Sequence, residues 1–182
     1  MRRRMLMETK PAQNWDVAWD YTMGLPEDHG FEKVIETRPE IEMTESGVQI
    51  IPGDGYVRYV PIGFETCNEG ILEAVVLIAQ FADVNGFRMI LSDGTSGLQI
   101  FCIQYYIRFQ NGGFLQNVKE IITNTVYKIR IERIDGVNKI FLDDKKIYET
   151  DKLSTLYANG NRIFCQSGGQ YQLQSIKFKK IS

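Results

Sequence analysis

Apolar and polar residues alternate with period two in short runs along most of this chain, and Gly, Asn and Asp punctuate the runs. Such alternation puts apolar side chains on one face of a pleated strand and polar ones on the other. It predicts strands at 47–51, 56–62, 71–82, 86–92, 97–110, 125–134, 138–142, 145–149, 162–166 and 171–181. No segment sustains a helical stripe. The breaks carry turn chemistry, as at Asn85-Gly86, Ser92-Asp93-Gly94, Asn111-Gly112-Gly113 and Asp135-Gly136, residue types that enter tight turns at low cost. Many short strands joined this way predict an all-β, antiparallel two-sheet β-sandwich rather than a parallel α/β sheet. The run ILEAVVLIAQF at 71–81 is apolar on both faces, the pattern of a central strand covered on each side.

The most informative stretch is VYKIRIERIDGVNKIFLDDKKIYE at 126–149. Tyr127, Ile129 and Ile131 share one face, Lys128, Arg130 and Glu132 the other, and two polar turns fold the segment into a β-meander. This layout resembles the meander of the concanavalin A-like lectin/glucanase superfamily, including laminin G-like domains, with Asp143-Asp144 standing where the family has Asp-Gly. The last strand, YQLQSIKFKKIS, resembles that family's closing strand, which returns beside the first. WDVAWDYTMGLPE followed by ESGVQI resembles its opening strand, loop and second strand. The resemblance implies a concanavalin A-like jelly roll over 14–182 as a single domain, with the patternless 1–13 as a disordered or tethering N-terminus.

Charge narrows the partners. With 21 Lys and Arg against 23 Asp and Glu the formal net charge is −2, so no global field favours nucleic acid or an anionic membrane. The basic cluster Arg2-Arg3-Arg4 is followed by an apolar segment too short for a signal peptide, and no run approaches a membrane span. The expectation is a cytoplasmic or virion-associated chain. Cys67, Cys102 and Cys165 are isolated, without a CxxC pair, which fits buried hydrophobes better than a metal site or disulfide framework. A single histidine, His29, leaves no multi-histidine centre, and GxGxxG, Walker A, HExxH and GxSxG motifs are absent.

Two places carry candidate chemistry. In EIEMTE at 40–45, Glu40, Glu42 and Glu45 resemble the E-x-D-x-x-E signature of laminarinase-like glucanases, which would make the chain a glycoside hydrolase. Retaining hydrolysis needs two carboxyls roughly 5 to 5.5 Å apart across one ligand. The motif stands early in the strand order and has no nearby tryptophan, so it reads better as a solvated strand or loop edge. A calcium reading is also open, although no Asp/Asn-rich loop stands near to complete an oxygen shell; no other cofactor is implied.

The second place is FCIQYYIRFQ at 101–110. Read as one strand, it sends Phe101, Ile103, Tyr105, Ile107 and Phe109 to the core and Cys102, Gln104, Tyr106, Arg108 and Gln110 to the other face, with Arg88 alongside if FRMIL pairs with it. An aromatic, a guanidinium and amides in one row suit a sugar, offering a flat apolar surface and forked hydrogen bonds. Arg88, Gln104, Tyr106, Arg108 and Gln110 are therefore the candidate ligand-binding residues. Trp15, Trp19 and Tyr21 read as a core row. The expected function is a non-catalytic recognition or structural module, binding a glycan or cell-surface polysaccharide, with a homo-oligomeric assembly domain as the alternative. The opening MRRRMLM resembles small laminin G-like proteins of phages and prophages, which implies virion proteins as partners.

Overall fold

Alternation becomes architecture because each strand has one face that water does not solvate well, and two such sheets bury those faces against each other. The computed structural model describes residues 14–84, 86–111, 114–154 and 160–181; the expected tether at 1–13 lies outside them. Along the chain the strands are β1 (Val17–Asp20), β2 (Phe31–Glu36), β3 (Glu40–Thr44), β4 (Gly47–Ile51), β5 (Tyr56–Pro61), β6 (Glu69–Gln80), β7 (Phe87–Ser92) and β8 (Gly97–Ile103). They continue as β9 (Tyr106–Asn111), β10 (Phe114–Glu120), β11 (Val126–Ile134), β12 (Val137–Leu142), β13 (Lys145–Thr150), β14 (Arg162–Gln166) and β15 (Gln170–Ile181). One sheet has the order β13-β12-β11-β6-β15-β4-β3, with β1 also paired to β15; the other has the order β10-β9-β8-β7-β14-β5-β2. All pairings between these strands are antiparallel. The result is the jelly-roll β-sandwich that the sequence predicted.

The meander lies as read, β11 pairing with β12 and β12 with β13. The closing strand β15 returns beside β1, Val17 opposite Phe178. Between the sheets lie Trp19, Ile50, Val76, Met89, Phe109, Ile129, Leu173 and Phe178, none more than 1% exposed; full burial of each such side chain stabilises the fold by about 1.5–3 kcal/mol. Cys67, Cys102 and Cys165 are buried free thiols, and burial raises the thiol pKa of all three.

Several sequence expectations need revision. β2, β3 and β10 were not among the predicted strands. β3 and β10 are the outermost strands of their sheets and β2 closes the other edge; such strands are held by backbone pairing on one side and need no clean alternation. The central strand β6 is covered on its outer face by side chains rather than by a third layer. There Glu73, 2% exposed, lies 3.6 Å from both Lys128 and Lys177. Trp19 is core, but Tyr21 begins a short 3₁₀ turn and Trp15 is half-buried under the Lys177 ammonium, so the three do not form one strand row.

The main correction concerns 97–110, which is two strands. Ile103 pairs with Tyr106 across a two-residue turn, Gln104 at φ 49° and Tyr105 at φ 67°. Two successive left-handed residues make a type I′ turn, the connection that matches strand twist. Asn or Gly is the usual occupant, which is why QY escapes a search for turn residues.

A depression lined by arginine and aromatic side chains

The turn at Gln104-Tyr105 exchanges faces. In β8 it is Leu98, Ile100 and Cys102 that enter the core, leaving Phe101 and Ile103 on the outer face of the sheet. In β9 the expected parity holds, with Ile107 and Phe109 inward and Tyr106, Arg108 and Gln110 outward. Tyr105, expected in the core, is 57% exposed and packs its ring 4.9 Å from that of Phe81.

Directly opposed residues on neighbouring strands stack into rows. One row on this outer face reads Arg108, Phe101, Arg88, Phe164, Arg58, crossing β9, β8, β7, β14 and β5. Guanidinium and phenyl groups alternate along it. The Arg88 guanidinium lies between two rings, 5.0 Å from the centre of Phe101 and 5.4 Å from that of Phe164, and donates to the Gln166 side-chain carbonyl. Arg108 lies 5.8 Å from the Tyr106 ring and donates to Gln104 Oε1 at 3.1 Å. Arg58 lies 5.8 Å from Tyr56, whose ring meets Phe164 edge-on at 5.4 Å. Beside this row Arg162 stacks 5.7 Å from Phe164, and its Nε donates to the Gly160 carbonyl at 3.1 Å. Burial, then the like charge of Arg58, lowers the Arg162 pKa to about 10.

These side chains frame a depression of about 800 Å³ whose lining includes Arg88, Phe101, Gln104, Arg108, Phe164 and Gln166. Tyr56, Ile103 and Gln110 add to its walls, and the exposed carboxylates of Glu36 and Asp83 stand at its rim. Gly86, immediately before β7, adopts φ 48°, and an added Cβ would stand 2.4 Å from Ile103 Cγ2 and 2.5 Å from the Cys102 carbonyl oxygen. Only glycine lets β7 begin so close to the end of β8.

Of the five residues singled out in the sequence, the structure brings Arg88, Gln104, Arg108 and Gln110 into this lining. Tyr106 is outside it, carrying the Arg108 guanidinium instead. Sequence reasoning missed Tyr56, Phe101, Phe164 and Gln166 of the lining, and Arg58 and Arg162 beside it. A signal was present in Arg162-x-Phe164-x-Gln166 and Tyr56-x-Arg58, whose alternation puts arginine and aromatic side chains on the face opposite Ile163, Cys165 and Val57.

The carboxylates of EIEMTE are placed otherwise. Glu40 and Glu42 are exposed on the edge strand β3 of the opposite sheet, and Glu45 is exposed in the turn between β3 and β4. None lines the depression. The facing pair that glycoside hydrolysis requires is thus not formed by these residues, because alternation points Glu40 and Glu42 into solvent. Among the described residues no group of three His, Cys, Asp or Glu side chains is arranged to hold a metal ion. No helix among them is long and apolar enough to cross a membrane.

No known protein-family profile matches the chain, and no curated protein sequence matches it. Solved structures do match in fold. The Crh5 transglycosylase in complex with NAG superposes with a TM-score of 0.66 at 9% identity, over 91% of this chain and 83% of that one. A sialidase gives 0.65 at 13% identity over 93% of this chain, which spans only 19% of the sialidase's length. The carbohydrate binding module CBM66 from Bacillus subtilis gives 0.56 at 16% identity, over 83% of this chain and 96% of the module. At such identities the likeness establishes a shared fold, the two-sheet jelly-roll β-sandwich.

Proposed function

We propose that this chain is a non-catalytic carbohydrate-binding module whose ligand lies in the depression on the outer face of the β10-to-β2 sheet. The observation that carries this reading is the convergence there of aromatic rings with planar, fixed hydrogen-bond donors. Phe101, Phe164 and Tyr56 offer flat apolar surface beside Arg88, Arg108, Gln104 and Gln166. A sugar ring presents an apolar face and a fringe of hydroxyls, and a few oriented polar groups in an otherwise apolar concavity are what such a ligand requires. The arginines are held before any ligand arrives, Arg88 between two rings and by the Gln166 amide, Arg108 against the Tyr106 ring and by the Gln104 amide, so little conformational entropy remains to be lost on binding. Fold relatives that include a carbohydrate binding module support the reading by analogy.

A glycan array followed by calorimetry tests it, with Phe164→Ala and Arg108→Gln as site variants. Binding weakened in both supports the depression as the site; unchanged binding in both removes the site; no binding to any glycan removes the function. The resemblance to phage- and prophage-encoded laminin G-like proteins extends the proposal to a virion setting, which co-purification of the chain with phage particles tests.

One observation favours assembly as a second reading. The outermost strand β10 exposes Phe114 at 83% and Leu115 at 43%, and an apolar edge strand is a template for pairing. Light scattering of the wild type and Phe114→Lys decides it, a loss of mass in the variant being required.

A further inference from the structure

The two sheets treat their arginines differently. On the β13-to-β3 sheet, Arg130 lies 2.9 Å from Glu132 and 3.7 Å from Asp144, and Arg133 lies 3.9 Å from Asp93. On the opposite sheet, Arg58, Arg108 and Arg162 form no ion pair among the described residues. Arg108 is held by the neutral Gln104 amide and Arg162 by the Gly160 backbone carbonyl. Buried guanidinium nitrogens without a hydrogen-bond partner among the described residues occur on both sheets, Arg58 Nε and Arg108 Nε here and Arg130 Nε and Arg133 Nη1 there. The difference therefore lies in the carboxylates that stand beside the second pair and not the first. Gathering like charges with burial is unfavourable unless something compensates them. The acidic residues of the lining, Glu36 and Asp83, are exposed.

Resting on the reading of the depression as a saccharide site, we infer that it takes an acidic saccharide, whose carboxylate or sulfate group is received on the floor by the guanidinium groups of Arg88 and Arg108, with Arg58 continuing the row beyond the lining. The spacing supports an extended acidic ligand. Arg108 and Arg88 are two strands apart, as are Arg88 and Arg58, which is about 10 Å in each case. Guanidinium is the side chain whose planar fork matches carboxylate and sulfate oxygens, and the phenyl rings between the forks supply stacking surface for the intervening sugar. An overall charge of −2 and an acidic rim disfavour simple polyanion attraction, so the inference requires the acid to enter the depression, and a polyanion without sugar tests that requirement. Rim and floor then have opposite effects: removing a floor charge weakens binding, whereas removing the Glu36 charge strengthens it.

The test is calorimetry with four probes: a hexuronate oligosaccharide, its carboxyl-reduced neutral counterpart, the neutral counterpart bearing sulfate esters, and polyglutamate as a polyanion without sugar. The expected result is that an acidic saccharide binds at least about tenfold tighter than its neutral counterpart, the scale of one charge-assisted hydrogen bond. Arg108→Gln should abolish that difference, Arg108→Lys should restore part of it, and Glu36→Gln should tighten the acidic probe about twofold. Preference for the uronate assigns the ligand group as carboxylate, and preference for the sulfated form assigns it as sulfate. Equal binding of acidic and neutral saccharides overturns this inference while leaving the saccharide site standing. Binding of polyglutamate as tight as that of the acidic saccharide also overturns it. Failure of every saccharide overturns the underlying reading as well. Thermal unfolding of each variant identifies any that has lost its fold, and Arg88→Gln then replaces Arg108→Gln as the floor variant.

Discussion

Replacing Gln104-Tyr105 by Asn-Gly separates two descriptions of residues 97–110 by the sign of a stability change. If the segment were one continuous strand, as its alternation implies, Asn and Gly at its centre would weaken it, since both are depleted in strands and the scale spans about 1 kcal/mol per position. In the structure both residues are left-handed, Gln104 at φ 49° and Tyr105 at φ 67°. A left-handed residue other than Gly, Asn or Asp carries a cost of about 1–2 kcal/mol. Relief at both positions amounts to about 2–4 kcal/mol. Against it stand two losses, the exposed hydrogen bond from Arg108 to Gln104 being exchanged for one to water at little net cost. A glycine adds unfolded-state entropy worth about 0.4–1 kcal/mol. The Tyr105 ring, 4.9 Å from Phe81, gives up a contact worth about 0.5–1.5 kcal/mol. The net is a stabilisation of about 1 kcal/mol, or about 2–4 °C in Tm for a chain of this size. Gln104→Asn alone, which keeps the Tyr105 contact, should also stabilise. Urea unfolding of the three proteins checks this, with m unchanged so that midpoints compare directly. A loss of 1 kcal/mol or more in both variants would refute the turn, and with it the placement of Phe101 and Ile103 in the depression.

Three further outcomes follow from the same geometry. Trp19→Ala should cost about 3–5 kcal/mol, because Trp19 is 1% exposed in the core and its Nε1 donates to the Gly24 carbonyl at 2.8 Å; guanidinium unfolding measures it. Burial alone would raise the Asp93 pKa, but hydrogen bonds from the backbone N–H and hydroxyl groups of Ser96 and Thr95 outweigh it and hold the carboxyl well below its usual value. A lowered folded pKa stabilises fully above the unfolded value of about 3.9 and is lost as pH falls below it, so Asp93→Asn should flatten the acid limb of a stability–pH curve below about pH 4. Glu40→Gln and Glu42→Gln, exposed on the edge strand β3, should each change stability by less than about 0.5 kcal/mol and leave glycan affinity within twofold; a larger loss of affinity would place ligand on that sheet.

The division between what sequence revealed and what it did not follows from where each signal is written. Burial acts on one side chain at a time, so Tyr127, Ile129 and Ile131 announce their strand in the order in which they are read, and β11 forms as expected. Edge strands lack that signal: in Phe114–Glu120 six of the seven residues are exposed and the backbone partner β9 holds the element. The depression is less legible still, because its row joins Arg58, Arg88, Phe101, Arg108 and Phe164, brought together from five strands by register. Register depends on pairing between residues as distant as Arg58 and Phe164, and local alternation carries no record of partners. What alternation does record is the face, and a two-residue turn reverses it. The Gln104-Tyr105 turn moves Phe101 from the core to the face that bears the depression while leaving Arg108 where the pattern placed it. A reader who takes QY as strand thus obtains the polar half of the depression's lining and loses the aromatic half. A second polar face bearing both arginine and phenylalanine, such as Arg162 and Phe164 on β14, is the feature that would have pointed to the missing half, since solvated strand faces have little use for a phenyl ring unless an arginine or a ligand covers it.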